Sequence, residues 1–462
     1  MIKAKIQFLG AAKTVTGSAS LIKFGKIKIL IDCGMFQGPK EIRKKNWEIY
    51  NKDLASSIDI VILTHAHVDH SGLIPRLHKL GFRGKVYATQ STYELLQVLL
   101  PDSAYLQEED AKHSRSKSNE DYRGPLYKVK EAVESLKYFD VVCRNQWFEL
   151  AKGLSFRFLR AGHILGSSIV QISISKENGV RLITFSGDLG NGRQNVIKGP
   201  EDIFETDDLI LESTYGDRLQ GKETPGDELK QCILDIHSSK GALVIPAFSV
   251  GRTQEILYMI KQLEDKGEAP NTPVFVDSPM ALEATEIYLH DSEDLKVLIK
   301  EGELIKPLSP SEFYKVKKVE DSIRLTKQPG PIIIISAAGM LTGGRILYHL
   351  KTRLPDKRNI VLFVGYQAEN TKGRLLQQGL RTIRIHKENI AVKAQIRTID
   401  SLSAHADSDD LINWISRFNK PPKRIFLNHG ELPSLNALCY RIRYELGLNA
   451  QIAQPDQEYD LL

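Results

Sequence analysis

The chain has 462 residues, 42% hydrophobic and 26% charged. That length exceeds one ordinary core, so two domains are expected, and the balance excludes a disordered chain that could not bury enough apolar surface. A formal charge of +6 is mild, compatible with a polyanionic ligand but far from the lysine blocks of a histone-like binder.

At the start, "MIKAKIQFLGAAKTVTGSASLIKFG" spaces lysines among its apolar residues and so lacks the core of a signal peptide. No run approaches the roughly 18 apolar residues of a membrane span. Both features imply a cytoplasmic protein. The cysteines Cys33, Cys143, Cys232 and Cys439 have no CxxC pairing, which argues against a disulfide framework or a thiolate zinc site and implies buried, structural thiols.

Six strand-like runs then deliver acidic or imidazole side chains at their carboxyl ends. "IKILID" ends at Asp32, "IDIVILTHAH" delivers His65 and His67, and "LSFRFLRAGH" leads to His163. "VRLITFSGD" reaches Asp188, "DLILE" ends at Glu212, and "RIFLNH" ends at His429. Strands covered by helices bind ligands beyond their carboxyl ends, so these groups are expected to converge on one edge. The polar tract from Leu106 to Gly124 reads as a charged helix end and surface loop.

Between Glu212 and about residue 380 a new alternation of strands and amphipathic helices appears: "ALVIPAFS", "GRTQEILYMIKQLEDKG", "TPVFVDSP", "PIIIISAAG" and "NIVLFVGYQ". This predicts a second α/β unit inserted into the first, because His429 lies beyond it. The expected division is 1–212 and 383–462 for the first domain and 213–382 for the insertion.

The segment "LTHAHVDHSG" puts three of the chain's 12 histidines, with Asp69, into six positions. Neutral imidazoles and carboxylates are good ligands for zinc-like dications. His65 and His67, two apart in extended chain, face the same way, while Asp69 and His70 at a helix start point differently, so one loop can feed two neighbouring metals.

With these residues in family order, the chain resembles a metallo-β-lactamase-fold nuclease of the β-CASP family over nearly its whole length. Asp32 in "LIDCG", "HAHVDH", His163 in "AGHILGSS" and Asp188 in "FSGDLG" match the first four motifs. Glu212 in "LESTYGD", His405 in "LSAHAD" and His429 in "LNHGE" match motifs A, B and C. The resemblance implies a metallo-β-lactamase αββα sandwich carrying an inserted α/β β-CASP domain. It further implies two zinc ions: His65, His67 and His163 on one, Asp69, His70 and His429 on the other, Asp188 bridging, and Asp32 orienting a ligand or water.

Two metals about 3.5–4 Å apart suit in-line hydrolysis at phosphorus, so the implied activity is cleavage of phosphodiester bonds to 5′-phosphate and 3′-hydroxyl ends. His405 is the implied acid for the departing oxygen and Glu212 its orienting partner. In the insertion, the strand-to-helix turn at Arg252 and the glycine-rich turn "SAAGMLTGGR", with Ser336, Gly339 and Arg345, are candidate RNA phosphate contacts.

The rival readings are a DNA-directed nuclease, a small-molecule hydrolase of the same superfamily, and an inactive scaffold partner. The inserted unit with motifs A to C favours nucleic acid, histidine at motif C resembles the RNA-directed branch, and every ligand position is filled. The expectation is therefore a ribonuclease acting on single-stranded RNA in processing or decay, endonucleolytic with 5′ to 3′ trimming. It resembles compact prokaryotic relatives of the endonuclease subunit that cuts messenger precursors before polyadenylation, a likeness that admits a homodimer and RNA-processing partner proteins. Asn370 in "YQAENTKGR" departs from the glycine expected there.

Overall fold

The computed structural model describes residues 4–461 apart from 116–123, 178, 222–224, 292, 297–306, 366 and 368–370. Asn370 and the middle of the polar tract lie outside the described residues, while the tract's beginning closes the helix Gln90–Arg115. Contacts divide the chain into two compact units. The first holds Met1–Arg193, Gly199–Leu219 and His405–Leu462, and the second holds Gln194–Lys198 and Gln220–Ala404.

In the first unit the described residues form two seven-stranded sheets. One runs Glu458–Asp460, Ala4–Gly10, Ala19–Phe24, Ile27–Ile31, Ile60–Ile62, Lys85–Ala88, Phe139–Val141. The other runs Ala450–Ile452, Arg424–Asn428, Asp208–Glu212, Gly179–Phe185, Ser168–Lys176, Leu154–Arg160, Phe148–Ala151.

The two-residue period of a strand explains the layering. In Asp208–Glu212, Ile210 joins Ile6, Phe8, Ile31 and Phe156 in the core between the sheets. Its neighbours Leu209 and Leu211 point the other way, packing with Leu411, Trp414 and Leu438 of the helices Ser408–Ser416 and Leu432–Glu445. Phe426, against Ile425 and Leu427, repeats the pattern one strand over. Each such side chain contributes about 1.5–3 kcal/mol on burial, so both faces of these strands are fixed and their carboxyl ends have little freedom.

All six expected strands are present, and the strands ending near Asp188, Glu212 and His429 are parallel neighbours. The second unit carries a six-stranded parallel sheet among the described residues, in the order Phe313–Lys315, Val274–Val276, Ile332–Ser336, Ala242–Pro246, Ile360–Phe363, Gln395–Thr398. Its last strand lies beyond the expected return at residue 383. Gln395–Thr398 pairs with Ile360–Phe363, so the chain stays with the second unit until Ala404. The outward crossing likewise falls at Leu219 rather than at residue 212.

Three cysteines are buried as expected, but Cys143 is exposed, because it sits just beyond the edge strand Phe139–Val141. No helix among the described residues is long and apolar enough to cross a membrane.

Candidate metal centre and its relatives

The strand Ile60–Ile62 runs directly into Thr64, His65 and His67, and the short helix Val68–Ser71 then turns Asp69 and His70 away from them. This loop is stapled to the one after Ile31 by hydrogen bonds from Cys33 N to His70 O (2.7 Å) and Met35 N to Val68 O (2.9 Å). Gly34 is required here, since a Cβ on it would lie 1.7 Å from the Asp69 carbonyl oxygen. Asp32 and His429 both adopt positive φ, +60° and +48°, a left-handed conformation that costs about 1–3 kcal/mol in a non-glycine residue. Neighbouring structure holds both: Asp32 N donates to Ile62 O and His429 N to Ala11 O, each at 3.0 Å.

His65, His67, His163 and Asp188 place one donor atom each within 4.8 Å of one another, as do Asp69, His70 and His429. In the first group the separations are 3.1 Å (His65 Nε2 to His67 Nδ1), 3.3 Å (His163 Nε2 to His67 Nδ1), and 3.5 and 3.6 Å from Asp188 Oδ2 to His65 and His163 Nε2. Two ligands each about 2.0–2.1 Å from a tetrahedral zinc stand about 3.4 Å apart, so these distances fit the edges of one coordination shell. One proton can join a pair of these nitrogens in a hydrogen bond, whereas a cation between them satisfies all three lone pairs at once.

In the second group His70 Nε2 lies 3.2 Å from His429 Nε2 and 3.2 Å from Asp188 Oδ1, and Asp69 Oδ2 lies 3.6 Å from His429 Nε2. Asp188 therefore turns one oxygen to each group. Its buried Oδ1 makes no hydrogen bond among the described residues, although His70 is close, as suits a carboxylate oxygen directed at a cation.

The electrostatics agree with this donor chemistry. Burial holds His65, His67 and His163 below the ordinary imidazole range, so their lone pairs are available at neutral pH. Burial opposes charge on His70 too, but Asp188 and Asp32 outweigh it and drive its pKa up. The two carboxylates draw positive charge to that position. Asp32 Oδ2 accepts from His70 Nδ1 at 2.7 Å and Thr64 Oγ1 lies 3.0 Å from His65 Nδ1, an arrangement that leaves both Nε2 atoms facing the site.

A third cluster joins Asp188, Glu212 and His405. Glu212 Oε1 accepts from Leu189 N (2.7 Å) and lies 3.1 Å from His405 Nδ1, while Oε2 accepts from Thr214 N (3.2 Å). The His405 segment is fixed by Ala406 N donating to Leu189 O at 2.7 Å, and its ring centroid lies 4.4 Å from that of His163. Burial disfavours the imidazolium, yet Glu212 foremost, with Asp188 and Asp69, outweighs it and raises the His405 pKa to about 9.

All of these residues belong to the first unit. Sequence reasoning missed Thr64, whose hydroxyl lies 3.0 Å from both Asp32 carboxylate oxygens, and Ser18, which donates to Asp32 at 3.2 Å. Thr64 had a signal, since it directly precedes His65.

The candidate phosphate contacts belong to the second unit, and most have internal occupations. Arg345 donates to Asp277 (2.8 Å) and to the carbonyls of Val316 and Lys317 (3.2 and 2.8 Å), and Ser336 Oγ donates to Asp277 O (2.9 Å). Gly339 packs against Phe248, and a Cβ there would approach the ring to 3.2 Å. Arg252 is half-buried and opens the helix Arg252–Asp265. The glycine-rich turn is thus tied into its own unit through Arg345 and Ser336.

Residues 21–188 match the metallo-β-lactamase superfamily domain, 253–376 the Beta-Casp domain, and 389–453 the Zn-dependent metallo-hydrolase RNA specificity domain. Over 93% of this chain and 94% of the relative, the sequence is 36% identical to Ribonuclease TTHA0252 of Thermus thermophilus. The chain belongs to the β-CASP family of metallo-β-lactamase-fold nucleases. A second β-CASP relative, transcription termination factor FttA of Methanosarcina mazei, is 30% identical over 92% of this chain and 67% of its own length. A solved structure of a protein of unknown function from Enterococcus faecalis V583 covers 99% of the chain and is itself covered in full, with a TM-score of 0.57 at 14% identity, a likeness of fold alone.

Proposed function

We propose that this β-CASP protein is a cytoplasmic zinc-dependent ribonuclease that cuts single-stranded RNA internally and trims it 5′ to 3′. The observation that carries the reading is the single carboxylate, Asp188, lying between two imidazole-rich donor sets with His405 and Glu212 beside them. The similarity to a ribonuclease over nearly the full length of both chains supports RNA as substrate.

In this reading His65, His67, His163 and Asp188 hold one zinc, and Asp69, His70, His429 and Asp188 a second. Zinc bound there supplies Lewis acidity toward a phosphodiester and lowers the pKa of water into the neutral range. The chain's own groups do the rest. Asp32 and Thr64 fix the tautomers of His70 and His65, so that their Nε2 lone pairs point inward. Glu212, held by two backbone N–H groups, keeps a proton on His405 Nδ1 and leaves Nε2 to protonate the departing 3′ oxygen.

The test is to incubate zinc-loaded protein with 5′-labelled linear RNA, circular RNA and single-stranded DNA of matching sequence. Both RNAs should be cut and leave ends that ligase accepts as 5′-phosphates. Cleavage confined to DNA, or none with any substrate, would overturn the reading.

A further inference from the structure

The antiparallel hairpin of Thr382–Ile385 and Glu388–Ala391 turns through two residues, His386 and Lys387, at φ of +46° and +69°. Two consecutive positive φ values in a two-residue loop are the mark of a mirror-image turn, which asparagine and glycine fill with least steric conflict. A histidine and a lysine are crowded there by their own Cβ atoms. Unfavourable backbone of this kind persists where the side chains are used.

The hairpin cannot easily relax. Ile383, Ile385 and Ile390 are buried with Leu347, Leu350 and Leu354, from the helix Ile346–Arg353 and its end. Lys393 N and Ala394 N donate to Leu354 O at 2.8 and 2.9 Å, and Lys351 pairs with Glu388 at 2.6 Å. On the outside of this mount Tyr348 is 53% exposed, its ring centroid 4.5 Å from that of His386 at 31°. Arg384, opposite Asn389, is exposed, as is Lys387, and neither has an ion pair among the described residues.

The exposed Tyr348 ring against His386, Lys387 next in the turn, and Arg384 on the solvent face of the hairpin, alternating with buried Ile383 and Ile385, offer a nucleic-acid strand that crosses the turn a π surface for a base and positive charge for its phosphates. The apolar area offered is little more than one ring, too small for a stable protein interface. We propose that Tyr348, Arg384, His386 and Lys387 form a contact site for single-stranded RNA on the second unit, an inference that rests on the ribonuclease reading. The turn lies between the matched segments 253–376 and 389–453, so neither family domain covers it.

The experiment measures fluorescence anisotropy of a labelled, cleavage-resistant phosphorothioate RNA of about 20 nucleotides, longer than one typical site of ~4–16. The 462-residue chain is compared with R384E/K387E, Y348A and H386N/K387G across a salt series, with melting temperatures alongside. Loss of two phosphate contacts should flatten the slope of log affinity against log salt by about 1.4 in R384E/K387E, and Y348A should bind about tenfold more weakly. H386N/K387G should melt higher than the parent yet bind RNA more weakly, a combination that misfolding cannot produce. If the parent binds and cuts RNA but the three variants keep its affinity and salt slope, the contact site is wrong and the ribonuclease reading stands. If the parent neither binds nor cuts RNA, both fall. If poly-glutamate binding is lost in the variants while RNA binding is not, the surface serves an acidic protein segment and the RNA site is refuted.

Discussion

Asp32 meets Ser18, Thr64 and His70 with its two oxygens, and in doing so decides which nitrogen of His70 faces the site. Removing a partner of that kind usually weakens metal binding about 10–100-fold, so Asp32→Ala should lower zinc affinity by that factor in competition with a chromophoric chelator. Unchanged affinity would remove Asp32 from the site's design. His405 acts differently. His405→Ala should keep its zinc while single-turnover cleavage falls about 10²–10⁴-fold, the range of a lost general acid, and full activity would exclude that role. Both groups were assigned in the sequence by the resemblance, Asp32 through the first motif and His405 through motif B, because a lone carboxylate or imidazole has ordinary structural explanations and only the ordered set of motifs singles it out. Arg345 is harder to read from residue type alone. A guanidinium beside glycines looks the same whether it awaits a phosphate or serves Asp277, 68 positions away.

The strands were legible because each is a short β-branched or aliphatic run that leads to an acidic or imidazole side chain. Element membership was not legible after residue 382. Gln395–Thr398 is no more apolar than a surface strand, and only its pairing with Ile360–Phe363 assigns it to the inserted sheet. At this scale the buried Asp277 cluster is the testable feature. Its carboxylate accepts from Arg345 (2.8 Å), from Ser322 Oγ (2.6 Å) and from His349 Nε2 (2.7 Å). Burial alone would raise the Asp277 pKa, but His349, Ser322 and Arg345 together hold it below the ordinary carboxylate value. A carboxyl with a folded pKa below its unfolded one, about 3.9, binds fewer protons when folded. Its stabilisation is present above pH 4 and is lost as pH falls through the lowered value. Wild-type melting temperature should therefore drop between about pH 4 and 2 more steeply than that of Asp277→Asn, which at neutral pH should already be destabilised by about 3 kcal/mol for breaking a buried charged cluster. Parallel pH profiles would show that the cluster is not coupled to folding.

Across the whole molecule, the first unit is closed by its own distant ends. Glu458–Asp460 pairs with Ala4–Gly10, Arg424–Asn428 lies beside Asp208–Glu212, and His70 meets His429 across 359 positions of chain. Donor sets so far apart in sequence are brought together only by folding, so a dication that needs them binds the native state and hardly the unfolded one. At a thousandfold excess over its dissociation constant that preference is worth about 4 kcal/mol. The three tryptophans, Trp47, Trp147 and Trp414, all lie in the first unit, so their fluorescence follows that unit while circular dichroism follows both. Zinc should raise the tryptophan midpoint by about ten degrees over that in excess chelator, at 2–4 °C per kcal/mol for a unit of this size. The circular dichroism curve should separate into two steps when the metal is withdrawn, because the second unit contributes none of the donors. Asp188→Ala, which removes the carboxylate common to both donor sets, should abolish most of the zinc-dependent shift without moving the second step. A tryptophan midpoint indifferent to zinc would mean that the converging imidazoles hold no structural cation, whatever their spacing.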